Sequence, residues 1–345
     1  MIKEAIAKVV EGYDLTAEEA GRVMEELMSG EATGIQIGSL LTALRMKGET
    51  VEEIVSFVQV MRQHAALIHP RVNGILVDTC GTGGDQLKTF NISTVAAVVA
   101  AGAGLVVAKH GNRAVSSKAG SADVLEALGL NITLEPEQVC ACIETLGIGF
   151  MFAPMFHPAM KYALGPRREI GVRTVFNVLG PLANPAQVQA QVVGVYDTRL
   201  VEKLAHVLSG LGVQHALVAH GIDGLDEISL LGETRLAELR DGKVSTYSIV
   251  PEDFGLRRAS ARELEGGSAD VNARIAVAIL QGQKGAKRDA VVLNAAAALL
   301  VGGLVTDLKD GLELAARSID SGEAYRKLTE LVRFTGGRLG NDRTH

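Results

Sequence analysis

The chain has 345 residues and a formal net charge of −6, with 34 Lys and Arg against 40 Asp and Glu. Hydrophobic residues make up 47% and charged residues 21%, a balance that excludes a disordered chain. The acidic balance argues against nucleic acid as a partner, and the three Cys cannot form a disulfide framework. Gly reaches 39, about fifteen above average usage, which suggests loops that approach a ligand closely.

The first 70 residues predict helices throughout. Thr16 with Glu19 and Thr50 with Glu53 match the capping box, in which an N-cap hydroxyl is answered by Glu three residues later. The second box opens an apolar stripe at helical spacing, Val51, Ile54, Val55, Val58 and Met61. Packing within the bundle is the simple interpretation of this stripe. A bundle of this size is marginal alone, so part of it is also a candidate contact with a second copy.

Residues 69–74 interrupt the helical pattern, and strands then alternate with helices. The predicted strands are 75–80, 105–111, 147–154, 190–196 and 215–221, and Asp241-Gly242 between alternating runs predicts a hairpin. The last 75 residues return to Ala-rich helices. This alternation predicts an α/β fold with a central, largely parallel sheet flanked by helices.

No segment of the sequence predicts export or a membrane span. The N-terminus lacks the uninterrupted apolar core of a signal peptide. The long apolar runs 95–108 and 290–305 are shorter than the roughly 20 residues that a span needs. We therefore expect a soluble, cytoplasmic protein with no membrane partner.

The densest chemical signal is the Gly-rich run DTCGTGGDQLKTFNIST, residues 78–94. A strand leads into Gly81, Gly83, Gly84 and Asp85, and a helix begins near Ile92. Glycines allow backbone N–H groups to face an anion, and the helix adds its positive N-terminal end. The run matches neither the dinucleotide-binding nor the P-loop pattern. Alone, it fits a Gly-rich turn with ordinary capping equally well.

A second polar run, KHGNRAVSSKAGSAD, covers residues 109–123 and follows the next predicted strand. Ligands of open α/β sheets bind at the carboxyl ends of the strands. Two consecutive strands that end in anion-type loops therefore favour one site with two phosphate subsites over a merely solvated loop.

Two further features carry charge. Asp226 and Glu227 follow another predicted strand; taken alone they are ordinary surface charge, but beside phosphates they would anchor Mg²⁺. Arg167, Arg168 and Arg173 lie in the segment 157–185 and are candidates for a bidentate carboxylate clamp. The alternative is that they are arginines on the surface of a helix.

In these blocks, and over essentially its whole length, the chain resembles the anthranilate phosphoribosyltransferases. The resemblance rests on the following sequence blocks: GTGGD followed by TFNIST, then KHGNRAVSSKAGSADVLEALG, HPAMKYALGPRREIGVRTVFNVLGPLANP and DEISL. The resemblance implies a small helical domain, residues 1–72 with a helical stretch near 166–188. It also implies a larger α/β domain, residues 73–165 and 189–345, and a homodimer formed through the helical domain. The implied reaction is Mg²⁺-dependent transfer of the phosphoribosyl group of phosphoribosyl pyrophosphate to the amine of anthranilate, in tryptophan biosynthesis.

The resemblance also implies a role for individual residues. The positions expected to bind phosphoribosyl pyrophosphate are Gly81, Gly84, Asp85, Thr89, Asn91, Ile92, Ser93, Thr94, Lys109, His110, Gly111, Asn112, Ser117 and Ser121. Those expected to line the anthranilate path are Gly81, Asn112, His157 and Arg167, and those expected to serve Mg²⁺ are Ser93, Asp226 and Glu227. No residue is predicted to act as general base. One departure from the family is Gln86, where Gly is common, with Lys88 two residues on.

Three other functions compete with this interpretation. Pyrimidine-nucleoside phosphorylases have a similar architecture with a Gly-rich phosphate loop, but the Asn after Lys109-His110-Gly111 and the block RTVFNVLGPLANP favour the anthranilate enzymes. A nucleic-acid-binding relative would have a basic surplus and a disrupted acceptor region. A purely structural protein would leave three phosphate-type loops without a purpose.

Overall fold

The computed structural model describes residues 1–84, 87–114 and 118–339. Asp85, Gln86 and Ser117, named above, lie outside the described residues. The helices and strands fall largely where the sequence predicts them.

Four helices form the N-terminal part: α1 (Ile2–Val10), α2 (Ala17–Met28), α3 (Gly34–Lys47) and α4 (Val51–Gln63). Both predicted capping boxes are present, and Thr33 with Gln36 forms a third at the start of α3. The box on α4 has a wider role, because Glu53 also accepts from the backbone N–H of Leu15 and from Lys47 Nζ, at 2.9 Å each. One carboxylate thus joins the starts of α2 and α4 to the end of α3.

Seven strands form one sheet in the order β3-β2-β1-β4-β5-β6-β7. Their bounds are β1 Leu76–Gly81, β2 Val106–Gly111, β3 Ile148–Phe152, β4 Ala190–Gly194, β5 His215–Gly221, β6 Thr234–Arg240 and β7 Lys243–Ile249. The first five pair in parallel, whereas β5 to β7 pair antiparallel. Asp241 and Gly242, with φ of +51° and +77°, form the predicted hairpin turn between β6 and β7.

The remaining α-helices lie between the strands and in the C-terminal part of the chain. They are α5 Ile92–Gly102, α6 Ser121–Ala127, α7 Pro136–Leu146, α8 Ala153–Phe156, α9 Lys161–Ile170, α10 Phe176–Leu182, α11 Arg199–Gly210, α12 Ala261–Leu264, α13 Ala269–Leu280, α14 Ala286–Val301, α15 Leu308–Asp320 and α16 Glu323–Phe334. The third strand is shorter than predicted, because α8 begins at Ala153, where Pro follows at position 154.

The apolar runs α5 and α14 are internal helices of the large core. Val77, Val107 and Leu217 face them from the sheet. Small residues allow close approach: a Cβ at Gly102 would lie 2.7 Å from the backbone nitrogen of Ala324. No described helix has the length and hydropathy needed to cross a membrane.

The N-terminal helices pack against later parts of the chain. Helix α9 contacts α2 and α3, and α10 contacts α4. Arg62 on α4 donates to the carbonyl of Leu182 at 2.8 Å, and Lys203 on α11 donates to the carbonyl of Glu49 at 2.8 Å. The apolar cluster of these helices continues through α11 to the sheet, where it includes Val193 and Val218. The division into two domains stays a prediction.

Candidate functional site

The order of the strands locates a crevice between β1 and β4. From β1 the chain builds outward through β2 and β3, and it then crosses to β4 on the other side and continues to β5. Gly81 and Gly194 lie opposite each other where these two strands end. Open α/β sheets bind ligands at such a topological switch point, outside the carboxyl ends of the strands.

Both glycines make room for the loop that carries the predicted carboxylates. A Cβ at Gly81 would lie 2.9 Å from Asp226 Oδ2, and one at Gly194 would collide with the backbone carbonyl of Asp226. Gly194 was not among the residues predicted from the sequence. A Gly inside a strand pattern marks a close backbone approach, and this was the available signal.

The structure brings Glu227 and Ser93, two of the predicted Mg²⁺ residues, into contact. The backbone N–H of Ser93, at the start of α5, donates to Glu227 Oε1 at 3.1 Å. Burial raises the pKa of Glu227 to about 8, and the neighbouring charge of Asp226 adds to the effect, while Lys109 and Ser93 oppose it. A carboxylate in this position favours an added cation.

The donor set at this edge fits Mg²⁺, which takes oxygen ligands and is often bound by one or two carboxylates together with substrate phosphates. Asp226, Glu227 and the Ser93 hydroxyl are all oxygen donors. In the described parts of the chain, no group of three or more His, Cys, Asp or Glu side chains is arranged to hold a metal. The arrangement suits an ion shared with a ligand better than a closed protein cage.

Lys109 lies beneath the crevice and is 4% exposed. Its Nζ donates to the carbonyl oxygen of Thr79 and lies 3.4 Å from Thr79 Oγ1. The Thr79 hydroxyl in turn donates to the carbonyl of Ser93 at 3.0 Å. A buried cation, a hydroxyl and a helix start thus meet behind the carboxylates.

The Gly-rich loop is held by Arg173. The guanidinium donates to the carbonyl of Gly84 at 2.7 Å and stacks on the ring of Tyr196 at 4.0 Å. The loop is also fixed from β4, because the N–H of Tyr196 donates to Thr82 Oγ1 at 3.1 Å. Gly84 has φ of +91°, and a Cβ there would collide with Arg173. Arg173 therefore supports the loop, and its suggested role in a carboxylate clamp stays a prediction.

In the loop after β2, Arg113 is paired with two carboxylates of α6, Asp123 at 3.0 Å and Glu126 at 2.7 Å. Ser121 is the first residue of α6, and its hydroxyl donates to the carbonyl of Asn112 at 3.3 Å. A Cβ at Gly111 would collide with this hydroxyl. Gly111, Asn112 and Ser121 are thus brought together.

The segment before α5 is fixed from the far end of the chain. Thr89 bridges to Glu265, and Phe90 N–H donates to the carbonyl of Leu264 at 3.3 Å. Asn91 is the N-cap residue of α5, but its side chain makes no cap hydrogen bond and contacts the carbonyl of Ala119 instead. Ile92 and Thr94 are both buried in the first turn of α5.

Two buried histidines lie on the side of β2 away from the carboxylates. The rings of His110 and His157 are 5.1 Å apart. Burial lowers the pKa of His157 to about 4, and it lowers that of His110 well below its usual value, with the neighbouring His157 adding to the effect. Nε2 of each ring is buried and has no hydrogen-bond partner among the described residues. The lowered pKa values favour the neutral form of both rings at pH 7.

Arg167 lies on α9 with its guanidinium over the ring of Phe176, 5.0 Å from the centroid. Burial lowers the pKa of this guanidinium. Arg168, the next residue, is exposed. A half-buried cation stacked on a ring is suited to a planar carboxylate.

Two family models match the chain. Residues 3–65 match the helical bundle domain of the glycosyl transferase family, and residues 73–325 match the α/β domain of the same family.

Relatives and solved structures agree with these matches. The chain is 59% identical to the anthranilate phosphoribosyltransferase of Anaeromyxobacter sp. (strain K), over 97% of this chain and 99% of the relative. It is 54% identical to that of Acetivibrio thermocellus, over 97% of each. The structure of the enzyme from Thermus thermophilus superposes with a TM-score of 0.91 at 45% identity, covering 96% of this chain and 99% of that one. The Saccharomyces cerevisiae enzyme in complex with PRPP and Mg superposes with a TM-score of 0.89 at 27% identity, covering 97% and 98%.

Proposed function

The chain belongs to the anthranilate phosphoribosyltransferase family, and from this we infer that it transfers the 5-phosphoribosyl group of phosphoribosyl pyrophosphate to the amine of anthranilate. The products are N-(5-phosphoribosyl)anthranilate and pyrophosphate, and the reaction belongs to tryptophan biosynthesis. The observation that carries the proposal is the meeting of Lys109, the start of α5 and the carboxylates of Asp226 and Glu227 at the switch point of the sheet.

The donor site is proposed to extend along the ends of β1 and β2. The backbone from Gly81 to Gly84, the start of α5 and Lys109 provide N–H groups and positive charge for the pyrophosphate. Thr89, Asn91 and the loop from Gly111 to Ser121 provide further polar groups. Asp85 and Ser117, which lie outside the described residues, stay predictions on the same basis.

Mg²⁺ bound by Asp226, Glu227 and Ser93 would neutralise charge that develops on the leaving pyrophosphate. Glu227 is prepared for this role because it already accepts from the Ser93 N–H, which fixes the position of its carboxylate. Asp226 is placed at the mouth of the crevice by the absence of side chains at Gly81 and Gly194.

The acceptor site is proposed on the side of His157 and Arg167. Arg167 would bind the carboxylate of anthranilate, and the neutral ring of His157, together with Gly81 and Asn112, would line the path to the ribose. An aromatic amine is uncharged at pH 7 and needs little deprotonation before it attacks C1. The protein's residues therefore act by positioning the two substrates and by stabilising the leaving group, and no general base is assigned.

We also propose that the chain forms a homodimer through residues 1–72 and the helical stretch near 166–188, the small domain of the two-domain division. Large apolar side chains are exposed on this part of the surface: Val10 and Tyr13 at 65% each, Met46 at 83% and Ile35 at 84%. A second copy of the chain would cover them. The cytoplasm is the proposed location, since the substrates are intermediates of biosynthesis.

The decisive experiment is the loss of anthranilate fluorescence with phosphoribosyl pyrophosphate and Mg²⁺. We expect loss with the complete mixture and none when the donor or Mg²⁺ is omitted. Folded protein that leaves the fluorescence unchanged, while it releases the base from thymidine or uridine with phosphate, would instead favour a pyrimidine-nucleoside phosphorylase.

A further inference from the structure

Two side-chain amides connect three segments that are far apart in the sequence. The N–H of Gly267 donates to Asn272 Oδ1 at 2.7 Å, Asn272 Nδ2 donates to Asn91 Oδ1 at 2.9 Å, and Asn91 Nδ2 donates to the carbonyl of Ala119 at 3.1 Å. The start of α13 is thereby linked to the start of α5 and to the end of the loop between β2 and α6. We call this set of three hydrogen bonds the amide relay.

The relay has one possible polarity, because backbone groups stand at both of its ends. A backbone N–H only donates and a carbonyl only accepts, so Gly267 requires an oxygen of Asn272, and Ala119 requires the nitrogen of Asn91. Each amide has one oxygen and one nitrogen, so Asn272 must present its nitrogen to the oxygen of Asn91. The orientation of Asn91 is therefore set by a residue 181 positions away.

The surroundings hold Asn272 in place. This residue is 3% exposed, at the first turn of α13. The segment before α13 is fastened to the Gly-rich region, since Gly266 N–H donates to the carbonyl of Lys88 at 3.0 Å. A Cβ at Gly266 would lie 2.7 Å from the Cα of Phe90, so only Gly permits this approach.

We propose that Asn272 is a positioning residue for the donor substrate. It forces Asn91 to act as an N–H donor: one hydrogen of Asn91 Nδ2 holds the loop at Ala119, and the second is left for an oxygen of the phosphoribosyl pyrophosphate. In the same way it couples the two anion-binding loops. The proposal deepens the function inferred above and rests on it.

Asn272→Asp tests the polarity with a side chain of the same shape. Asp still accepts from the N–H of Gly267, but it sets a second oxygen against Asn91 Oδ1. Asn91 is then driven to turn its amide, and its oxygen faces the carbonyl of Ala119. Because a donor contact and a loop contact are lost together, we expect the KM for phosphoribosyl pyrophosphate to rise about tenfold or more. The KM for anthranilate should change little. Asn272→Ala, which removes the relay without reversing it, should raise the donor KM less.

Ser268→Ala is the matched control. It removes the N-cap of the same helix, whose hydroxyl accepts from the N–H of Val271, and leaves the relay intact. We expect it to lower the melting temperature and to leave both KM values unchanged. Calorimetric titration with phosphoribosyl pyrophosphate and Mg²⁺, without anthranilate, reports donor binding independently of turnover.

The outcomes separate this proposal from the proposed function. If the wild-type chain neither binds the donor nor consumes anthranilate, the function itself is wrong. If the wild type does both and Asn272→Asp binds the donor normally, the relay has no positioning role. A purely structural role is also indicated if both KM values rise together in all three variants in proportion to their loss of stability.

Discussion

Glu53 and Glu227 are two carboxylates that the fold withdraws from water in different regions of the molecule. Glu53, in the N-terminal helices, is fully buried and accepts from the N–H groups of Leu15 and Thr50 and from Lys47 Nζ, at 2.8 to 2.9 Å. Glu227, at the edge of the sheet, accepts from Ser93 and lies beside a second carboxylate. The chain itself supplies enough donors for the first carboxylate, whereas burial and the neighbouring Asp226 raise the pKa of the second to about 8.

This difference separates a structural charge from a functional one. A buried charge with a complete set of hydrogen bonds and a counter-ion holds elements together. A carboxylate withdrawn from water and placed against a like charge costs stability unless a cation is added from outside. The sequence separated the two residues by their local patterns, since Glu53 completes a predicted capping box and Glu227 follows a predicted strand. It did not show the bonds from Leu15 and Lys47 to Glu53, because these residues are not part of the capping-box pattern.

The largest effect is expected at the structural carboxylate. Glu53→Ala should reduce the free energy of unfolding by about 3–5 kcal/mol, because it leaves the N–H groups of Leu15 and Thr50 without their acceptor. It also removes one of the two carboxylates that pair with Lys47, since Asp14 remains at 2.6 Å. Denaturant unfolding measures the loss, and Glu19→Ala, the corresponding capping-box residue of α2, should cost only about 1 kcal/mol. If the two variants lose equal stability, Glu53 is not the special residue that its contacts indicate.

The carboxylates proposed to bind Mg²⁺ should show the opposite pattern. Asp226→Asn with Glu227→Gln is expected to reduce turnover about 10²- to 10³-fold and to remove its dependence on Mg²⁺, without loss of stability. Asp223→Asn in the same loop is the control, because Asp223 accepts from the Ser229 hydroxyl and the Leu225 N–H and serves the loop alone. A double variant that keeps the wild-type Mg²⁺ dependence would contradict the assignment.

Arg167 extends the comparison to a cation. Its stack on Phe176 leaves the guanidinium hydrogens for a ligand. Arg167→Ala should therefore raise the KM for anthranilate about 30-fold, which corresponds to the loss of about 2 kcal/mol from a charge-assisted hydrogen bond. The KM for the donor should change far less. Steady-state kinetics measures both KM values. Arg168→Ala, which changes the exposed neighbour on α9, is the control. Equal changes in both KM values would remove the role given to Arg167.

Much of the fold could be predicted because it depends on local patterns. The capping boxes at Thr16 and Thr50, the hairpin turn at Asp241 and the buried Ala-rich helix α14 each follow from residues close together in the sequence. The site was harder to predict, because its support comes from distant segments. The bond from Arg173 to Gly84, the close approach of Asp226 to Gly194 and the bond from Asn272 to Asn91 each join residues more than 30 positions apart.

The most gradual effect is expected from His157, as a dependence of stability on pH. The pKa of His157 is about 4 in the folded chain and about 6.5 in the unfolded one, so between these values the unfolded chain binds more protons. The free energy of unfolding should therefore fall as the pH falls from 6.5 towards 4, by up to about 1.4 kcal/mol per pH unit from this group. His157→Asn should flatten this part of the profile in denaturant unfolding at several pH values. His206→Asn, which replaces an exposed imidazole on α11, is the control for the loss of a ring. A profile as steep in His157→Asn as in the wild type would mean that folding does not lower the pKa of His157.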